Sequence, residues 1–344
     1  MNVDSDLKSY SDYSSLIELI ERQTTYYEHN ICIHYQLPDP TLHFKSLTYG
    51  QVNRIANHYA YEWKSDLQGQ HCVGFLADEP VFSLLGMLAI FKLRKTVFNI
   101  STRNSEKAII HMLAQTSTKC LITSKKYISV AQACAAKIPN LTIKILDTVI
   151  PSQLSPESRS NSVIGPCCDK HDDVVLITHS SGSTAFPKII HVTNKCLLFY
   201  ITETLKEHLI NIDERFGIRS TDTAILGYPL FHMFGITIQF MIMITGACSV
   251  LFRQLPISTR DWITVSKTFQ ATYLVLPPVL LEYLAQYIKD NSQDDLSAIW
   301  RQVKVCIFSG ASLRAQVGDY LLEKGLNVRV IFGSTGKTIS PRVL

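Results

Sequence analysis

The sequence lacks the cysteine and N-terminal patterns that mark several common classes of protein. Its nine cysteines are odd in number and include no Cys-x-x-Cys pair. The sequence therefore predicts neither a disulfide framework nor a zinc site, and no other protein-held metal. The polar, acidic N-terminus, MNVDSDLKSY, lacks the apolar stretch of a signal peptide. We predict reduced thiols and a cytoplasmic location.

An excess of charge of one sign is also missing. The 344 residues include 33 basic and 29 acidic side chains, a formal net charge of +4, and no block of lysine or arginine. This balance is too small to predict nucleic-acid binding. The hydrophobic fraction of 46% and the charged fraction of 18% are typical of a globular protein with one large domain or two smaller ones.

One long apolar segment, Phe231–Phe252, approaches the length of a membrane span. His232, Gln239 and Thr245 interrupt the segment, Gly246 punctuates it, and no lysine or arginine flanks its start. A buried helix that runs into a buried strand fits this pattern better. We therefore predict no membrane span.

Elsewhere, short apolar runs alternate with amphipathic stretches. This alternation is typical of an α/β fold with largely parallel strands. Residue spacing predicts strands at His71–Leu76 and Val174–Thr178, and helices at Thr48–Lys64, Pro80–Phe91 and Val192–Leu209.

The segment Thr178–Lys188, THSSGSTAFPK, has the clearest chemical character. It follows a predicted strand, groups hydroxyl side chains around Gly182, and ends in a Pro-Lys pair before a predicted helix. In such a loop, backbone N–H groups and hydroxyls can face phosphate oxygens, while the lysine supplies a positive charge. A polar surface loop is the alternative, because serine-rich turns are common.

Two segments imitate the Walker A phosphate loop without meeting its spacing. Counted from Gly182, the second required glycine falls on Pro187, and Ile189 replaces the required serine or threonine. In the C-terminal GSTGKT, the first required glycine falls on Ile331. Neither segment predicts a P-loop ATPase.

The stretch Ser180–Lys188, SSGSTAFPK, resembles the S-G-T-T-G-x-P-K signature of the adenylate-forming superfamily, with Ala185 in place of its second glycine. This superfamily includes acyl-CoA synthetases, luciferases and nonribosomal-peptide adenylation domains. Further segments resemble other conserved elements of the family and occur in the same order as in the family. They are Ser46–Ala60, Leu84–Ser105, Tyr228–Gly235 (YPLFHMFG), Phe308–Leu313 (FSGASL) and Val330–Thr335 (VIFGST). The serine-rich sequence of this loop is most similar to that of fungal, carrier-coupled members of the superfamily.

The resemblance implies an α/β fold of two stacked, doubly wound lobes, with the active site in the groove between them. Residues 1–215 would form the first part of the AMP-binding core with the phosphate-binding loop. Residues 216–344 would form a second lobe that is incomplete. The family's small C-terminal lid domain has no counterpart in the sequence, so the resemblance also predicts a truncated chain.

The same resemblance implies roles for individual residues. Lys188 and Thr184, with Ser183, would neutralise the outer phosphates of ATP as pyrophosphate leaves. His232 would flank the carboxylate pocket as the third catalytic residue, although a histidine in an apolar run is often a hydrogen-bonded core residue. The expected nucleotide-binding residues are Ser180, Ser181, Gly182, Ser183, Thr184, Lys188, Gly310, Ala311, Ser312, Phe332, Gly333, Ser334 and Thr335. Of these, Phe332 would lie against adenine and Thr335 near the α-phosphate.

The residue at position 232 also bears on the substrate. Amino-acid-activating members usually have an aspartate there, which pairs with the substrate ammonium. A neutral imidazole cannot anchor a buried ammonium. We therefore expect a fatty, aryl or keto acid, activated with ATP and Mg²⁺ and passed to CoA or to a carrier-protein pantetheine.

One family residue is replaced in a way that affects catalysis. The glutamate of the family's Y-G-x-T-E element helps to hold magnesium, and Gly336 stands in its place. The likeness stops abruptly after Thr335. We therefore expect little acyl-adenylate from this chain. A catalytically impaired nucleotide-binding remnant, or a scaffold that keeps only the fold, is the alternative to an active enzyme.

Overall fold

The computed structural model describes residues 13–39, 41–151, 153–154, 171–180, 186–205, 217–291 and 296–331. Its first elements are α1 (Leu16–Tyr26), β1 (Ile31–Gln36), β2 (Phe44–Thr48), α2 (Tyr49–Trp63), β3 (Cys72–Leu76), α3 (Pro80–Lys92), β4 (Thr96–Asn99), α4 (Glu106–Gln115), β5 (Cys120–Ser124), α5 (Ile128–Lys137) and β6 (Thr142–Leu146). They are followed by β7 (Val174–His179), β8 (Ile189–Thr193), α6 (Asn194–Leu205), β9 (Thr223–Leu226), α7 (Met233–Ile244) and β10 (Cys248–Leu251). The remaining elements are α8 (Thr259–Thr268), β11 (Tyr273–Val275), α9 (Pro278–Asp290), α10 (Ser297–Gln302), β12 (Val305–Phe308), α11 (Ala315–Glu323) and β13 (Val328–Val330).

Two sheets organise these elements, which confirms the predicted α/β class. The six-stranded sheet has the order β6-β5-β3-β4-β7-β8 and is parallel except at β8. The seven-stranded sheet has the order β13-β12-β11-β9-β10-β1-β2 and is parallel except at β2. Loops at the carboxyl ends of such parallel strands are where ligands bind in open α/β sheets.

Two helices buried on every side form the layer between the sheets. All residues of α3 and all residues of α7 are buried, as expected for helices that are apolar all round. The helices meet through Phe91 and Phe240, whose ring centroids are 6.1 Å apart. The predicted helix and strand within Phe231–Phe252 are thus confirmed as α7 and β10. Within the described residues, no helix combines the length and apolarity needed to cross a bilayer.

The helix starts follow from local capping. Thr48 caps α2 in a capping box with Gln51, because each side chain accepts a hydrogen bond from the other residue's backbone N–H. Ser105 caps α4 by accepting a hydrogen bond from the N–H of Ala108. The Thr48 cap starts α2 close to the bound that residue spacing predicts.

The prediction of a helix from Val192 was wrong at its start. Ile189–Thr193 is strand β8, antiparallel to β7, and α6 begins only at Asn194. The division of the chain after residue 215 stays a prediction. Strands β1 and β2 join the same sheet as β9 to β13.

Candidate active site

The predicted phosphate-binding loop has a hydrogen-bonded neck at the end of β7. The N–H of Ser180 donates to the carbonyl of Lys188 at 3.0 Å, and the Ser180 hydroxyl accepts from the Lys188 N–H at 3.3 Å. The neck continues the antiparallel pairing of His179 with Ile189. Lys188 is therefore fixed by its backbone, while its side chain is exposed.

The loop between these neck residues carries most of the predicted phosphate contacts. Ser181, Gly182, Ser183 and Thr184 lie outside the described residues, so their contacts stay predictions. The first described residue after them, Phe186, stacks its ring on His111 of α4 at a centroid distance of 4.5 Å.

His179 is a site residue that sequence reasoning did not identify. Its Nε2 accepts a hydrogen bond from the N–H of Ser101 at 3.0 Å and lies 3.1 Å from Asn104 Nδ2. Because Nε2 is an acceptor, the proton sits on Nδ1, which donates to the Ser180 carbonyl at 3.4 Å. Neutral His179 thus joins the phosphate loop to the end of β4. The sequence feature that could have indicated this role is the position of His179 at the carboxyl end of a buried strand, directly before Ser180 and Ser181.

Acidification should weaken this link. Burial lowers the pKa of His179 below its ordinary value of 6.5. As the pH falls, the unfolded chain therefore takes up a proton on this histidine before the folded chain does. The contribution of neutral His179 to the free energy of unfolding is fully present above pH 6.5 and declines as the pH falls towards the folded-state pKa. In His179→Gln the amide oxygen can accept the same bonds but cannot titrate. Between about pH 7.5 and about pH 5.5, this variant should lose less free energy of unfolding than the wild type.

Urea titrations across that pH range measure the difference. His29→Gln is the control, because it removes an exposed histidine far from the loop in sequence. Equal slopes for the wild type and His179→Gln would refute the assignment.

His232 caps α7 and faces the groove. Its Nδ1 accepts a hydrogen bond from the N–H of Phe234 at 3.3 Å, so the neutral ring carries its proton on Nε2. Burial lowers the pKa of His232, and the positive charge of Arg103 lowers that pKa further. The residue is nonetheless exposed in the groove. The ring is therefore a neutral imidazole that carries its N–H group at Nε2.

The segment after β12 lies next to His232. Gly310 has φ +86°, and a Cβ on it would lie 3.9 Å from Cε1 of His232. Tyr228 fixes this approach, because its hydroxyl donates to the Ser309 carbonyl at 2.8 Å and accepts from the Ser309 N–H at 3.0 Å. Gly310, Ala311 and Ser312 are exposed in the groove. Their predicted contact with adenine stays a prediction, and Phe332, Gly333, Ser334, Thr335 and Gly336 lie outside the described residues.

The groove also contains a cleft of about 230 Å³ between the two sheets. Positive side chains dominate its lining. Lys126 pairs with Asp78 at 2.5 Å, and Arg253 pairs with Glu79 at 3.4 Å. Arg103 lies over the Phe231 ring, 5.8 Å from its centroid. The ion pairs of Lys126 and Arg253 offset two of its three positive charges, and Arg103 leaves the lining weakly positive.

Comparisons with known proteins identify relatives of this chain. A family model described as "AMP-binding enzyme" matches residues 20–340. An adenylate-forming reductase of Aspergillus terreus is 26% identical over 75% of this chain and 24% of its own length. A 4-hydroxybenzoate–CoA/benzoate–CoA ligase of Rhodopseudomonas palustris is 25% identical over 64% of this chain and 39% of its own length. The chain thus spans well under half of either curated relative.

A solved structure shows the same fold. The anthranilate CoA ligase in complex with anthranoyl-AMP superposes with a TM-score of 0.77 at 21% identity, over 95% of this chain and 62% of that protein. The two stacked α/β lobes predicted from the sequence are therefore confirmed as the architecture.

Proposed function

The chain belongs to the AMP-binding enzyme family, and from that premise we propose that it activates a carboxylic acid with ATP. The acid's oxygen would attack the α-phosphorus of ATP and form an acyl-adenylate, while the bond to the leaving pyrophosphate breaks. One observation carries the proposal. Hydrogen bonds join Lys188 through Ser180 to His179 at the carboxyl end of β7, and Gly310, just after β12, lies beside His232.

The groove residues have distinct proposed roles. Lys188, exposed beyond its hydrogen-bonded neck, would bind the outer phosphates and offset the charge that develops on pyrophosphate. Thr184 would add a hydroxyl there. The Nε2–H of His232 would donate to the acid's carboxylate and orient it. Exposed backbone at Gly310–Ser312 would line the edge of adenine.

Magnesium enters this proposal only as the ion that accompanies ATP. Among the described residues, no group of three or more His, Cys, Asp or Glu side chains is placed to hold a metal ion.

The acid is proposed to be fatty, aryl or keto rather than amino. The ring of His232 is neutral, and a neutral donor suits a carboxylate but not an ammonium. The relative that ligates 4-hydroxybenzoate and benzoate supports an aryl acid. The acceptor is proposed to be CoA or a carrier-protein pantetheine, because both carry phosphate and Arg103 makes the cleft weakly positive.

A second candidate function rests on Gly336. Without a carboxylate at this position, nucleotide binding would persist while adenylate formation becomes slow.

The free thiols of the described cysteines fit the cytoplasmic location, which stays part of the proposal.

Two measurements on the 344-residue chain separate these functions. Calorimetry with ATP and AMP tests nucleotide binding, and ATP–pyrophosphate exchange with fatty, aryl, keto and amino acids tests activation. Exchange that depends on a non-amino acid supports the enzyme. Nucleotide binding without exchange, together with exchange gained in Gly336→Glu, supports the second candidate. Absence of binding to both nucleotides contradicts both.

A further inference from the structure

Helix α7 carries a buried amide that nothing in the described chain satisfies. Gln239 is 1% exposed, and neither its Oε1 nor its Nε2 has a hydrogen-bond partner among the described residues. Thr237, the other polar side chain of α7, is satisfied because its hydroxyl donates to the Met233 carbonyl at 3.0 Å. Leaving a buried amide unpaired is unfavourable. Gln239 is therefore suited to a polar partner that the protein does not supply.

The position of Gln239 on α7 connects it to the groove. It follows His232 by seven residues, which is about two helical turns, or about 10.5 Å along the same side of the helix. Other sides of α7 are already occupied, since Phe240 meets Phe91 of α3 and Thr237 meets Tyr200 of α6. Gln239 thus lies beneath the imidazole that is proposed to hold the carboxylate.

The seven-stranded sheet presents a second unpaired group to the same layer. Ser249 of β10 is fully buried, and its hydroxyl has no hydrogen-bond partner in the described chain. Alternation along the strand places its side chain on the face of Leu251, which belongs to the core between the sheets, and opposite to Val250. The Ser249 hydroxyl therefore points into the layer that contains α7.

The two unpaired groups lie on α7 and β10, which pack against each other. A turn of three residues joins α7 to β10. Gln239 lies about 7.5 Å above the end of the helix, and Ser249 lies about 3.3 Å above the start of the strand. A polar ligand group that enters this layer would therefore find two unpaired side chains.

We propose that Gln239 and Ser249 bind a polar group at the far end of the activated acid. The substrate is then a compact acid with an apolar middle and a hydroxyl, amino or carbonyl group opposite its carboxylate, of the size of a para-substituted aromatic acid. This inference rests on the proposed function, because that function places the carboxylate at His232. The surrounding core is apolar, so an acid with an apolar end leaves both groups unpaired.

Two non-hydrolysable acyl-adenylate analogues test the inference. The sulfamoyl adenosines of 4-hydroxybenzoic and 4-methylbenzoic acid differ only by a hydroxyl in place of a methyl group. Calorimetry should show that the wild-type chain binds the hydroxyl analogue roughly tenfold to a hundredfold more tightly. Gln239→Met should remove this preference while it conserves side-chain volume, and Ser249→Ala should reduce it.

Controls keep the result interpretable. Thr237→Val alters a hydroxyl of the same helix that is bonded to its own backbone, so the preference should remain. Gln239→Met removes an unpaired amide and should melt no lower than the wild type. Equal binding of the two analogues by the wild type, or an unchanged preference in Gln239→Met, overturns this inference alone. Absence of binding by both analogues and by AMP overturns the proposed function, and the inference with it.

Discussion

Replacing Lys188 with alanine should weaken ATP binding by about tenfold to a hundredfold and leave AMP binding within about twofold. A hydrogen bond to a charged group contributes about 1.5–3 kcal/mol, which corresponds to that range. The lysine is fixed at the loop neck by Ser180 and has an exposed side chain. It is proposed to meet the outer phosphates, which AMP lacks. Calorimetry with both nucleotides measures the two ratios.

The matched control is Lys195→Ala. Lys195 is exposed near the start of α6, and its replacement removes the same charge. It should leave both affinities unchanged. Lys188→Arg should keep part of the ATP affinity, since it keeps the charge but changes its geometry. An equal loss of ATP and AMP binding in Lys188→Ala would show that the lysine does not face the outer phosphates.

Replacing Lys92 with methionine should lower the free energy of unfolding by about 3–5 kcal/mol, because it leaves a buried carboxylate unpaired. Lys92 of α3 pairs with Glu21 of α1 at 2.5 Å, and their side chains are only 2% and 14% exposed. Burial lowers the pKa of Lys92, while Glu21 opposes that shift. Denaturant titration measures the loss.

The double variant Lys92→Met with Glu21→Leu should recover most of that stability, because an apolar pair needs no charge compensation. Arg54→Met is the control: it breaks the exposed pair with Glu28 and should lower stability by less than about 1 kcal/mol. A loss in Lys92→Met as small as that of the control would mean that the buried pair does not hold α1 against α3.

Some of this fold is predictable from local sequence. The bounds of α2 follow from Thr48 as a cap and from helical spacing, and α7 and β10 follow from a continuous apolar run divided at Gly246. That glycine has φ +76°, a conformation that other residues rarely adopt. In each case, one short stretch of chain contains the cause.

Other elements depend on partners distant in the sequence. The segment Ile189–Thr193 was assigned in part to a helix, yet it is a strand because Val192 pairs with Leu176. The role of His179 could not be predicted either, because it depends on the N–H of Ser101, which only the sheet brings near. Motif likeness identified Lys188 and His232 as candidates, but not the hydrogen bonds that fix the protonation of His232.

The pairing of β1 with β10 has a consequence for the order in which the chain folds during synthesis. Ile33 lies beside Ser249, so the first strand made must wait until most of the chain has left the ribosome. The six-stranded sheet uses only strands between Cys72 and Thr193 and can close earlier. Long-range pairing is slow, because loop-closure entropy is lost before contacts form. During that interval β1 and β2 are an open edge, the part of the nascent protein most in need of a chaperone.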